Sequence, residues 1–359
     1  MKSKSIKHIA IFDSLRGLMA FWVVLAHTFM SYNIYLPRGL SKVFNVAFAV
    51  EVFIILSGFV IFFLLDKQKE PYFKFIIRRF CRIFPVYWVL LIISVVTIEY
   101  QLVLWQSFDG GGSYWKGRLE TAHDSVAYFT GHLLAHIPLL QGLFPHSVLP
   151  NSDFAFIEPA WSLSLEWQFY LVAPAIFIAI GNVKNSKAAG ITLLGISILI
   201  SHLYGKGGVG FLPKEMHFFI LGIISFYIWK HYYSEDNKIL ITIILAAVAS
   251  SIVVRSVPLL IWFIFMYLAA TTNANAIIIK RILVSKPMMF LANISYPMYL
   301  IHTLAIYLPL HLNFQFSIGL SNSEVIASTI ALSIIFSYLL HVFVEKPGMV
   351  LGKKITHKK

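Results

Sequence analysis

Apolar runs of about twenty residues, the length an α-helix needs to cross the hydrocarbon core of a bilayer, follow one another along almost the whole chain. Ten candidate spans lie near residues 9–30, 43–65, 83–104, 161–181, 188–204, 214–229, 239–254, 257–271, 287–312 and 324–344. A water-facing fold cannot hide so much apolar surface: 58% of the 359 residues are hydrophobic and 13% charged, against roughly 45–50% and about 25% in ordinary soluble domains. A soluble enzyme is excluded. The expected fold is all-α and polytopic, one membrane-embedded domain over residues 1–359 with no separate soluble domain. The first run continues from Lys7 past His27 without a small-residue cleavage site, so it reads as a retained span.

The net charge is +13, and its distribution orients the spans. An eleventh apolar stretch, 125–144, contains His132, His136 and Pro138. If it does not cross and the N-terminus is cytoplasmic, 21 of the 29 Lys and Arg fall on inner segments, seven fall on outer ones, and Arg16 lies within a span. That asymmetry satisfies the positive-inside rule. If the stretch crossed, the Lys-rich C-terminus would face outward. Both termini are therefore expected in the cytoplasm, with 125–144 a re-entrant or interfacial helix on the outer side. Residues 105–124, with Gly110, Gly111 and Gly112, read as the clearest loop, and Lys67 to Arg82 as a basic, aromatic segment along the cytoplasmic interface. The excess of positive charge fits an anionic leaflet better than nucleic acid, because no basic stretch lies on a soluble fold. The single cysteine, Cys81, excludes an internal disulfide.

Ionisable groups inside spans are costly and mark function or an internal pair. The first span carries Asp13, Arg16 and His27. Arg16 and His27 are separated by about three helical turns, so they share one face roughly 16 Å apart. Glu166, in Trp161-Ser162-Leu163-Ser164-Leu165-Glu166, is expected near the depth of His27, where a carboxylate would hold the imidazole in one tautomer. Tying helices together is the alternative role. Glu51, with Ser57 deeper in the same span, is either a partner for Arg16 or a direct participant. Arg79 and Arg82, at i and i+3, project from one face and suit phosphate capture; anchoring to lipid headgroups would use the same charges. His132 and His136 have metal-ligand spacing but no Asp, Glu or Cys placed to help, so no metal site is expected. Tyr299 and His302, at i and i+3 in the ninth span, read as packing or helix-linking groups as readily as catalytic ones.

These residues resemble a family. Phe12-Asp13-Ser14-Leu15-Arg16-Gly17-Leu18 followed by His27 is similar to the first-span signature of the acyltransferase 3 family, which includes O-antigen and peptidoglycan O-acetylases. So are Phe53-Ile54-Ile55-Leu56-Ser57-Gly58-Phe59, Arg79-Phe80-Cys81-Arg82, Trp161-Ser162-Leu163 with Glu166, Ser295-Tyr296 with Tyr299 and His302, and Phe343-Val344-Glu345-Lys346-Pro347. The six motifs keep the family's order from residue 12 to 347.

The resemblance implies a ten-span membrane O-acyltransferase of the bacterial inner membrane. It would move an acyl group, commonly acetyl, from cytoplasmic acyl-CoA to a hydroxyl of an envelope glycan or glycolipid. His27 would be the essential histidine, oriented by Glu166, and Arg16, Arg79 and Arg82 would hold the acyl-CoA. Asp13, Glu51, Ser57, Tyr299 and His302 would support them from buried positions. His27 would act as a base or carry a transient acyl group. No permanently bound cofactor is expected, acyl-CoA being a substrate. The bilayer, the donor and the acceptor are the expected partners. Some family members carry an extra extracytoplasmic domain, whereas this chain ends after the tenth span in a Lys-rich tail. It would complete transfer itself or pass the acyl group to a separate extracytoplasmic transferase. The rival reading is a transporter or flippase that binds substrate or protons at the same buried charges.

Overall fold

The computed structural model describes residues 9–32, 44–107, 113–182, 208–233 and 237–357. Every regular element among them is helical, as expected. In chain order these are α1 (Ile9–Ser31), α2 (Val46–Gln68), α3 (Tyr72–Val96), α4 (Ile98–Ser107), α5 (Ser113–Ala127), α6 (Phe129–His136), α7 (Ala160–Asn182) and α8 (Leu212–Tyr232). They are followed by α9 (Lys238–Val253), α10 (Val257–Ala270), α11 (Ala274–Leu283), α12 (Lys286–Phe316), α13 (Asn322–Leu340) and α14 (Lys346–His357).

Six helical rods among the described residues are long and apolar enough to cross a membrane: α1, α2, α3, α7, α12 and the continuous rod of α13 and α14. A seventh arises if α10 and α11, bent by 110° at their break, form one broken span. The expectation of ten separate spans is thus met only in part. The 188–204 run lies outside the described residues. α8 has Lys214 and Glu215 at one end and Lys230 and His231 at the other, and α9 has 16 residues, fewer than a bilayer normally requires.

Two local expectations change. The 105–124 stretch is mostly helical, because Trp105 on α4 and Trp115 on α5 bury their rings against each other with centroids 4.4 Å apart. Only 108–112, around the glycines, lies outside the described residues. The 67–82 segment is not a separate surface helix: α3 starts at Tyr72 and runs unbroken past Pro85, which puts Arg79 in the bundle interior. Residues 125–144, expected not to cross, form no spanning helix, being divided between the end of α5, the eight-residue α6 and turns around Pro138.

α1 packs between α2 and α12, α8 covers α2, α13 lies along α12, and α14 returns along α3. Small residues set the spacing, as in other lipid-embedded bundles. A Cβ at Gly58 would lie 2.3 Å from the Phe219 carbonyl oxygen, and one at Gly222 would lie 2.0 Å from that of Ile55. The backbones of α2 and α8 therefore touch, with no side chain between them. Where α1 meets α12, a Cβ at Gly17 would be 2.8 Å from the Ala292 nitrogen. A π-helical turn, His341–Glu345, joins α13 to α14 just before Pro347, whose missing N–H loosens the helix there.

Candidate active site

α1 puts polar groups at two levels of the bundle, and each level collects a different set of partners. At the Arg16 level, Asp13 pairs with Arg16 at 3.2 Å, one turn apart on the same helix. A cavity enclosing about 890 Å³ of empty space, its open mouth included, is lined there by Arg16, Arg79, Arg82, Ser57, Glu166 and Tyr170, among others. Ser57 Oγ donates to Glu166 Oε1 at 3.0 Å, and the Tyr170 hydroxyl donates to the same oxygen. The Arg79 guanidinium lies over the rings of Phe75 and Tyr170, at 5.6 and 5.8 Å, and its buried Nε has no hydrogen-bond partner among the described residues. Among the described residues, neither Arg79 nor Arg82 has a carboxylate within the 4.0 Å of an ion pair. Arg78 does the opposite, pairing with Glu70 at 2.9 Å and donating from Nε to Thr356 Oγ1 at 2.9 Å. One arginine of the triplet ties α3 to α14, and the other two are left to the cavity.

At the His27 level, Nδ1 of His27 is 3.0 Å from Nε2 of His302, and the two rings stack with centroids 4.8 Å apart. His302 Nδ1 lies 2.7 Å from the Tyr299 carbonyl oxygen. The remaining nitrogen of His27, Nε2, faces Glu158 Oε1 at 3.9 Å. Glu158 is held in turn by Arg118 Nη1 at 3.3 Å and by the Tyr114 hydroxyl, which donates to Oε2 at 3.3 Å. Arg118 Nη2 donates to the Tyr307 hydroxyl at 2.6 Å. Burial works against the charge on Arg118, but Glu158 and then Tyr307 outweigh it, so its pKa is raised and the guanidinium stays charged. Burial and then the neighbouring Glu158 keep the Tyr114 hydroxyl protonated.

The carboxylate beside His27 is thus Glu158, which corrects the pairing with Glu166. α7 explains the difference. Its first residue, Ala160, is within one of the expected start, but the N-terminal end of the helix stands at the His27 level, so Glu158 just ahead of it meets the imidazole, while Glu166 lies about 9 Å beyond Ala160. Between the two levels, the hydroxyls of Ser162 and Tyr299 are 2.6 Å apart. Glu51 is not among the residues lining the chamber, and among the described residues it makes no ion pair with Arg16. His132 and His136 are fully buried. His136 bonds the Tyr87 hydroxyl at 3.1 Å and the Ser152 carbonyl at 3.2 Å. Among the described residues no cluster of three metal-ligating side chains occurs.

Sequence reasoning missed Glu158, Arg118, Tyr114 and Tyr307. Glu158 could have been noticed as a carboxylate two residues before a span, and Arg118 as an arginine beside Tyr114 and Trp115.

An all-helical bundle with its ionisable groups gathered inside belongs to a multi-pass membrane protein. Residues 9–342 match the family described as the acyltransferase domain, and the chain belongs to this acyltransferase 3 family. It is 30% identical over 154 residues to Acyltransferase MdmB of Streptomyces mycarofaciens, covering 42% of this chain and 34% of that one. It is 26% identical over 203 residues to Peptidoglycan O-acetyltransferase OatA of Listeria monocytogenes, covering 54% of this chain and 28% of that one. The chain thus spans about a third of the length of each relative. No solved structure matches it.

Proposed function

We propose that the protein is a membrane O-acyltransferase, an O-acetyltransferase in the first instance. In this reading it takes the acyl group of cytoplasmic acyl-CoA and delivers it to a hydroxyl of an envelope glycan or glycolipid, in a bacterial inner membrane with both chain termini inside. The observation that carries the reading is the division of labour along α1. Arg16 opens on a chamber with two further arginines that have no ion-pair partner among the described residues, and His27, three turns on, meets a carboxylate and a second imidazole. Guanidiniums of that kind suit the phosphates of CoA, which two parallel N–H donors can grip. Glu166, fixed by Ser57 and Tyr170, keeps the chamber from being purely cationic.

His27 then serves as the base. Its Nε2 takes the acceptor's hydroxyl proton as that oxygen bonds to the thioester carbonyl carbon. The C–S bond breaks, and the departing sulfur takes the proton to become the CoA thiol. Glu158, 3.9 Å from Nε2, stabilises the imidazolium in between, and the Arg118 ion pair holds Glu158 in place. The likeness to the Listeria peptidoglycan O-acetyltransferase supports an acetyl group and an envelope glycan. A separate extracytoplasmic transferase is the route if the acceptor does not reach His27. No bound cofactor is required, and no nucleic acid takes part.

The test is release of free thiol from acetyl-CoA by purified protein, without and then with a glycan acceptor. Acceptor-stimulated release is expected. Substrate or proton movement across vesicles without thiol release would mark a transporter instead.

A further inference from the structure

Two imidazoles meet where α1 and α12 pack, and their hydrogen bonds can be assigned by elimination. His302 Nδ1 is 2.7 Å from the Tyr299 carbonyl oxygen, which can only accept, so Nδ1 carries a proton. A second proton, on Nε2, would make His302 a fully buried cation with no carboxylate within 4.0 Å among the described residues. Burying an unpaired charge is far costlier than keeping the ring neutral. His302 Nε2 is therefore a lone pair. The atom 3.0 Å away, His27 Nδ1, must be the donor.

Resting on the reading of His27 as the base, we infer that His302 is a positioning residue that fixes His27 in its Nδ1–H tautomer and leaves Nε2 bare for the acceptor hydroxyl. The opposite tautomer would aim an N–H at Glu158 and turn the lone pair into the stacked ring of His302, where no hydroxyl can enter. In the fixed tautomer the bare nitrogen is the one beside Glu158. When Nε2 takes the hydroxyl proton, both N–H groups of the cation have partners: Nδ1–H keeps His302, and Nε2–H faces Glu158. When the leaving sulfur takes that proton back, the same tautomer returns. The order is imposed from the backbone outward, from the Tyr299 carbonyl through His302 to His27.

The test compares wild type with His302→Leu and His302→Gln. A glutamine can place its amide oxygen near the former Nε2 and accept from His27, whereas leucine cannot. Acceptor-dependent thiol release from acetyl-CoA should show kcat falling on the order of tenfold or more in His302→Leu, with the donor KM within about twofold of wild type. His302→Gln should recover the larger part. Nitrogen-labelled histidine read by NMR should show the His27 proton on Nδ1 in wild type and in His302→Gln, and divided between the two nitrogens in His302→Leu. Equal losses of kcat in the two variants, both folded by thermal unfolding, overturn the inference. So does a wild-type His27 carrying its proton on Nε2. The ring signal needs no turnover, so it judges the tautomer even if His27→Ala still transfers and the base assignment fails.

Discussion

Glu158 Oε1 stands 3.9 Å from His27 Nε2, while Glu166 is bonded to Ser57 in the arginine-lined chamber. The two carboxylates should therefore fail differently. Glu158→Gln removes the charge that steadies the imidazolium and should lower kcat by about one hundredfold, within the range ascribed to general acid–base groups. Glu166→Gln should act mainly on donor KM, and His27→Ala should abolish transfer with normal insertion. Steady-state kinetics on the three variants check this. A Glu166→Gln loss confined to kcat would return Glu166 to the His27 level.

The arginines separate by partner. Arg79→Lys with Arg82→Lys keeps the charge but loses the planar fork, and should weaken acetyl-CoA binding roughly tenfold or more, a charge-assisted contact being worth about 1.5–3 kcal/mol. Donor affinity measured on purified protein is the readout. If it is unchanged, the pair does not hold the donor. Arg78→Ala should lower thermal stability and leave kcat alone, because its contacts are Glu70 and Thr356.

Sidedness can be read with introduced cysteines, since the single native Cys81 is buried. A cysteine at the exposed Ser147 should react with an impermeant reagent from outside, and one at Lys354 should not. Labelling of both from the same face would remove the separation of donor and acceptor sides.

Ser162 and Tyr299, both in the wall of the chamber, are joined by one 2.6 Å hydrogen bond. Tyr299→Phe removes it and should let water reach the thioester. Acceptor-independent thiol release should then rise severalfold relative to transfer. An unchanged ratio would mean that the pair bars nothing.

The acid response should come from α6. Burial holds His136 neutral down to about 3 and His132 down to about 4, against 6.5 for the unfolded chain. Between those values the unfolded state binds more protons, so stability rises with pH; it is complete above about 6.5 and is lost as pH falls toward 3–4. The melting temperature in detergent should drop from pH 7 to pH 5. His132→Gln with His136→Gln should flatten that dependence.

What the sequence makes legible is what lies within one helix. Arg16 and His27 share a face because the helical period says so, and Tyr299 and His302 are one turn apart for the same reason. The relations between helices are not written that way. Placing Glu166 beside His27 required knowing the depth of α7 relative to α1: the start was legible to within one residue, but it is the helix's N-terminal end, not its second turn, that stands at the His27 level, which gives the place to Glu158. Arg118 is forty residues from Glu158 and lay in an expected loop, where nothing local announced a buried ion pair. Hydropathy likewise does not show that the chain turns by 110° at the break after Ala270.

The bond from Arg78 to Thr356 makes α14 a splint on the arginine helix. Gly348 and Gly352 seat it against Cys81, so closely that a Cβ on either would come within 3 Å of that residue. Cys81 lies between Arg79 and Arg82 in sequence. Whatever pulls on the last turns of the chain, a fused tag or a binding protein, is thereby transmitted to the helix that presents both guanidiniums.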